Sequence, residues 1–196
     1  MPGSSGKVYA FNQASGLLQW TSTAAAGTVV LSAVVDVPSG EVYFTTVDER
    51  LIALDANGAT LWTFTASAPL VTGTPVISSS GVVYVGGLDM KMYAVVGRTS
   101  EVATWDAAGG GEVRGAAAVD GVGRVYFGAC GAAVAANPDG SRVWSYALGA
   151  SCVQGRSLLD AQDNSTFCGV GGGGRGEKKR ERGREGERFS LWFGKW

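Results

Sequence analysis

The phrase GVVYVGGLDMKMYAV, residues 81–95, recurs in altered form along most of this chain. Tryptophan sets one ruler: Trp20, Trp62, Trp105 and Trp144 lie 42, 43 and 39 residues apart. A tyrosine inside an apolar run sets a second, with Tyr43, Tyr84 and Tyr126 at intervals of 41 and 42 and Phe167 one period further on. An alanine in YAF, IAL, YAV and VAA sets a third: Ala10, Ala53, Ala94 and Ala135 are separated by 43, 41 and 41. Three independent markers with one period of about 41 residues point to a repeat architecture. In such an array each unit buries its apolar faces only against its neighbours.

Each period holds four strand-like runs. The first is TVVLSAVVDV (28–37), LVTGTPVISS (70–79), EVRGAAAVD (112–120) and CVQGRSLLD (152–160). The second is the VYF type, the third the YAL type, and the fourth ends in tryptophan. Turn chemistry separates them, with PSG at 38–40, DANG at 55–58, SSG at 79–81 and NPDG at 137–140. No segment carries a convincing helical spacing of apolar residues, and 31 glycines in 196 residues suit short strands and turns. The fold class expected is all-β, a β-propeller of four-stranded antiparallel blades. The runs VVYVGG and RVYFGA are almost continuously apolar, as a strand covered on both sides must be. The four tryptophans are expected to plug the gaps between neighbouring blades.

The blades divide the chain into a half-blade at 7–22, blades at 28–65, 70–106 and 112–147, and a second half-blade at 152–169, all within a propeller domain at 1–170. That is about four blades' worth. A piece of a larger propeller is the preferred expectation over a closed four-bladed ring, because blade taper is tuned to blade number; an open arc would leave apolar blade faces exposed at both ends, an association liability.

The segments VYFTTVDERLIALDANGATLW (42–62), VYVGGLDMKMYAVVGRTSEVATW (83–105), VYFGACGAAVAANPDGSRVW (125–144) and KVYAFNQASGLLQW (7–20) resemble the PQQ-like (pyrroloquinoline quinone) repeat family of quinoprotein alcohol dehydrogenase-like propellers. WD-repeat blades do not fit, since the chain has no histidine and one Trp-Asp pair, Trp105-Asp106, in one repeat only. The resemblance implies relatives of three kinds: quinoprotein dehydrogenases, outer-membrane assembly lipoproteins, and propellers appended to acyl-CoA-synthetase-like enzymes. Most relatives outside the dehydrogenases bind no quinone, so function has to be argued from a site rather than from the fold.

The absence of histidine excludes Ser-His-Asp and Cys-His nucleophiles, His-ligated zinc and His general bases. The resemblance implies that a quinoprotein site would need a calcium held by Glu, Asn and Asp, a catalytic Asp and a vicinal Cys-Cys disulfide. The chain has no adjacent cysteines and no DxDxDG loop. Asp48-Glu49 is the only vicinal acidic pair and falls in a solvated turn; Asp55, Asp89 and Asp139 also fall in turns, where Asp caps backbone amides. No catalytic, cofactor-binding or metal residue is therefore assigned. The expectation leans away from an enzyme, towards a non-catalytic binding or scaffolding module with a protein or small-molecule partner and no cofactor. PQQ enters only under the alternative, a piece of a quinoprotein dehydrogenase or of the accessory propeller of an acyl-CoA-synthetase-like enzyme. Cys130, Cys152 and Cys168 show no CxxC spacing and read as reduced or partly buried thiols, with a disulfide between two of them as the alternative.

Charge is uneven. Residues 1–170 carry 8 Lys/Arg and 13 Asp/Glu, whereas residues 171–196 carry 8 and 4. Residues 171–188, GGGGRGEKKRERGREGER, contain only Gly, Arg, Glu and Lys, all types that purine-only codons can specify. This basic low-complexity tail is expected to be disordered up to about residue 188 and to be non-coding sequence read as protein, an idea that genuine splice junctions in the transcript would sink. The alternative is a basic RNA-binding or localisation tail, though a nucleic-acid partner is not expected. No apolar stretch approaches a membrane span and no signal peptide is visible. The compartment is thus open, with cytoplasm as the default.

Overall fold

A computed structural model describes residues 6–26, 28, 30–70, 74–97, 99, 101–106, 111–153, 155, 157–159 and 165–167. The tail and Cys168 lie outside the described residues. Every helix or strand assigned within them is a strand. The first half-blade is the hairpin of β1 (Val8–Phe11) and β2 (Leu18–Ser22). Blade one is the antiparallel meander of β3 (Val30–Val35), β4 (Val42–Thr46), β5 (Arg50–Leu54) and β6 (Thr60–Thr65). Blade two is β7 (Val76–Ile77), β8 (Val82–Gly86), β9 (Lys91–Val96) and β10 (Val102–Asp106), in the same order. Blade three holds β11 (Ala118–Val119), β12 (Val125–Ala136) and β13 (Arg142–Cys152), and a separate hairpin of β14 (Ser157–Leu159) and β15 (Ser165–Phe167) follows.

Two features depart from an even four-strand count. The first strands of blades two and three are only two residues long. In blade two the ladder begins directly after Pro75, which has no N–H to donate. In blade three the second and third strands form one unbroken segment, β12. The chain nevertheless reverses inside it, because the Tyr126 ring lies 6.2 Å from that of Trp144, and Trp144 pairs with Ala135 near the segment's far end. Gly131, at φ 92, marks the reversal. Glu49 (φ 70) and Met90 (φ 66) hold the same left-handed conformation at the same place in blades one and two, where a side chain costs more than hydrogen.

Alternation along the strands sends side chains to two different interfaces. Phe44, Ile52 and Leu54 face backwards, onto Val8 and Trp20 of the half-blade. Tyr43, Leu51 and Ala53 face forwards, onto Val83, Val85, Tyr93 and Val95 of blade two. Tyr84, Met92 and Ala94 repeat the pattern against Val125, Phe127, Val134 and Ala136 of blade three. Both faces of each second strand are covered, and each large apolar side chain buried in this way contributes about 1.5–3 kcal/mol.

The tryptophans bridge blades as expected. Trp20 Nε1 donates to the Ala56 carbonyl at 2.8 Å and Trp62 Nε1 to the Gly97 carbonyl at 2.5 Å, each on the turn between third and fourth strands of the next blade. Glycine in these turns gives the ring its seat: a methyl group on Gly140 would lie 2.3 Å from the Trp105 ring.

The cysteine reading needs correction. Cys130 and Cys152 are joined by a disulfide, rather than being reduced thiols. Cys130 sits in the reversal of β12 and Cys152 closes β13, where the two residues face each other across the ladder. The bond therefore ties the tip of blade three to the strand leading into the next half-blade.

Candidate functional site: a polar face at one end of the blades

In an antiparallel meander the turns fall alternately at two ends. One end collects the turns between first and second and between third and fourth strands; it receives the Trp20 and Trp62 Nε1 hydrogens on its turn carbonyls, and its aspartates bond to groups within six residues. Asp55 Oδ1 accepts the amides of Asn57 and Ala59 at 2.9 and 2.8 Å. Asp139 Oδ1 accepts the Ser141 amide at 2.8 Å, and Asp120 Oδ1 accepts those of Val122 and Arg124 at 3.0 and 2.8 Å. These are the amide caps that turn aspartates make.

The other end collects the turns between second and third strands and the linkers between blades. Here some polar groups pair within a turn and others join separate segments. Asp48 holds Arg50 through Nε and Nη2, both at 2.8 Å. One blade on, Asp89 does more than cap a turn. Its Oδ2 accepts the Tyr93 hydroxyl at 2.5 Å and the Ser67 hydroxyl, from the linker, at 2.7 Å, with Lys91 Nζ 4.0 Å away. The Leu88 amide donates to the Pro69 carbonyl and the Val113 amide to the Gly87 carbonyl, both at 3.1 Å, so linkers before and after blade two are pinned to its tip. On the second of these linkers Arg114 is paired with Glu112. Cys130 replaces the aspartate at the corresponding tip of blade three, and its disulfide replaces the polar link.

Three carboxylate–cation pairs two residues apart, Asp48–Arg50, Asp89–Lys91 and Glu112–Arg114, thus occupy this end. Burial alone would raise the Asp48 carboxyl, but the hydrogen bond and charge of Arg50 outweigh it and hold the pKa at about 2. Asp89 is treated likewise: desolvation pushes it up, and the hydroxyls of Tyr93 and Ser67 bring it below its ordinary range. Burial, followed by the Asp89 hydrogen bond, raises the Tyr93 hydroxyl. Carboxylates depressed in the folded state stabilise it above their unfolded pKa, and that stabilisation is lost as pH falls from about 4 towards about 2. With no histidine, the melting temperature is expected to stay flat between about pH 5 and 8 and to drop below about pH 4. Asp89→Ala, which strips two hydroxyls of their acceptor, is expected to cost about 1–3 kcal/mol at neutral pH and to shrink the acid-dependent drop. A melting series across pH on both proteins checks this.

None of the aspartates singled out from sequence meets another to form a catalytic pair, and among the described residues no three His, Cys, Asp or Glu converge as metal ligands. No helix among them is long and apolar enough to cross a membrane. The cross-segment role of Asp89 was missed in sequence because Ser67 and Tyr93 stand 22 and 4 residues away in different segments.

Four-stranded blades stacked through alternating faces, with tryptophan plugs and a polar end, define a β-propeller of PQQ-like repeats. The family model described as outer membrane protein assembly factor BamB matches residues 4–167, and the chain belongs to that family. Among solved structures, BamB from Moraxella catarrhalis superposes with a TM-score of 0.68 at 20% identity, over 82% of this chain and 49% of that one. A protein of unknown function from Bacteroides caccae superposes with a TM-score of 0.54 at 16% identity, over 84% of this chain and 62% of that one. At these identities the likeness is one of fold, and the chain spans about half the length of that BamB. No curated protein matches it significantly.

Proposed function

We propose that this propeller arc is a non-catalytic docking module whose partner is a protein, bound at the end formed by the tips between second and third strands and by the interblade linkers. The observation that carries this reading is the contrast between the two ends. Turn aspartates at one end are taken up by groups within six residues, the Tyr126 hydroxyl on Asp120 included, whereas the other end offers partly exposed ion pairs on a pinned backbone, drawn from Asp48, Arg50, Asp89, Lys91, Glu112 and Arg114. Such an arrangement suits complementary polar contact with a protein surface at little cost in ordering. The family's name, an assembly factor, accords with docking rather than turnover.

No quinone is part of this function, and the module belongs to a longer propeller or its equivalent. The Cys130–Cys152 bond suits an oxidising compartment better than the cytoplasm. A photo-crosslinking amino acid at Met90, on the proposed end, is expected to give protein adducts in cells that are lost when Asp48 and Glu112 are reversed to Lys. The same probe at Asn57, on the other end, is expected to give none. Adducts from position 57 alone would overturn the docking face. Stoichiometric tryptophan quenching by PQQ with calcium would overturn the absence of a quinone.

A further inference from the structure

The tips between second and third strands share one backbone form and differ in the side chain they display. Each holds one left-handed residue: Glu49 at φ 70, Met90 at φ 66 and Gly131 at φ 92. The ladder closes alike around the first two, with Thr45 opposite Leu51 and Gly86 opposite Met92. Glycine adopts this conformation freely, and a residue with a Cβ does not. Blade three shows that the reversal works with glycine, so the side chains of Glu49 and Met90 are not what makes the turn. At tip one the costly backbone is held from outside, because the Glu49 carbonyl accepts the Ala66 amide at 2.9 Å. A left-handed side chain kept in place by its surroundings points to a use for that side chain.

The fold itself makes little use of either. Met90 is 48% exposed, and Val47, on the neighbouring tip, is 42% exposed. Glu49 is part-exposed, and among the described residues its carboxylate has no hydrogen bond or ion pair. The cations around it are already taken: Arg50 by Asp48, Lys91 by Asp89 and Arg114 by Glu112. Asp106, across the ladder from Lys91, is exposed and in no ion pair among the described residues. At this end blades one and two and the linker after them thus carry the carboxylates Asp48, Glu49, Asp89, Asp106 and Glu112 against three cations, with Glu49 and Asp106 left over.

We infer that Glu49 and Met90 select the partner at the docking end, and that this partner is a protein segment carrying a Lys or Arg beside an apolar side chain. The inference rests on the docking reading above. The basic group meets Glu49, with Asp106 adding to the field, and the apolar group packs on Met90, whose unbranched thioether adapts to the shape it meets. The surplus of carboxylates disfavours acidic segments and phosphate-bearing ligands. Equivalent tips that display a charge, a thioether and a bare glycine on one backbone form let side chains alone set specificity.

A photo-crosslinking amino acid at Val47 in the full chain, with mass spectrometry of the adducts formed in cells, tests this. The adducts are expected to map to a partner segment with a Lys or Arg next to an apolar residue. Met90→Gly and Glu49→Gly are each expected to cut the adducts at least about fivefold, yet to melt about 2–4 °C above the parent, since each removes a left-handed side chain. Met90→Ala and Glu49→Gln keep that backbone cost and are expected to lose the adducts at an unchanged melting temperature. Wild-type adducts that persist in all four variants would leave the docking face standing and overturn the role of Glu49 and Met90. A partner segment lacking Lys and Arg would overturn it equally, as would glycine variants that melt below the parent. No adducts from position 47 or from position 90 would overturn the docking reading, and this inference with it.

Discussion

Trp105→Ala is expected to lower the free energy of unfolding by about 3–5 kcal/mol, a fifth or more of the roughly 5–15 kcal/mol that holds an ordinary domain together. The ring is 8% exposed and packs 5.4 Å from that of Tyr84 on its own blade. It shares a cluster with Met92 and Phe127 and roofs the Gly140 turn of blade three, so its loss opens a cavity at the joint between two blades. Trp105→Phe is a sharper test. Trp20 and Trp62 donate their Nε1 hydrogens to carbonyls, but Trp105 Nε1 is buried with no hydrogen-bond partner among the described residues. Phenylalanine discards that unpaired donor and keeps most of the apolar surface, and its cost is expected to be under about 1.5 kcal/mol. Urea unfolding followed by circular dichroism gives both values. A Trp105→Ala loss below about 1 kcal/mol would remove the tryptophan from its role as the joint's plug.

Breaking the Cys130–Cys152 bond is expected to cost about 2–4 kcal/mol, because it closes a loop with a sequence separation of 22 residues and so restrains the unfolded chain. Cys152→Ser and the reduced wild type should melt together below the oxidised wild type. Reductant should leave the variant's melting point unmoved. The effect is expected to concentrate at the joint between blade three and the β14–β15 hairpin, and amide exchange there should rise before it rises in blade one. Rapid alkylation of thiols in intact cells reports whether the bond forms where the protein resides. Full alkylation of Cys130 and Cys152 would place the working protein in its reduced form and take away the proposed oxidising compartment.

The stacking of blades was legible because burial on both faces forces the same residue classes to recur at fixed phase: Tyr43, Tyr84 and Tyr126, or Ala53, Ala94 and Ala135. Local chemistry was legible too, since Asp55 and Asp139 find their acceptor role within four residues. What the sequence hid were contacts between segments from different periods or different parts of one period. The tip of one blade meets the linker into the next, as in the hydrogen bond from Val113 to Gly87. The same geometry brings Cys130 to Cys152, and no short spacing motif announces it. Asp89 looked like one more turn residue because its partners arrive from a linker and a neighbouring strand.

The alternation of forward and backward faces also bears on how such a chain can grow. Each blade receives with one set of positions and offers with the other, so a duplicated stretch of one period begins and ends on compatible surfaces. What must then be adjusted is volume, and the three blades show it being traded: Ile52 and Leu54 give way to Tyr93 and Val95, then to Val134 and Ala136, while all stay buried. A gene that gains or loses whole periods can change the circumference of its ring while leaving each joint intact.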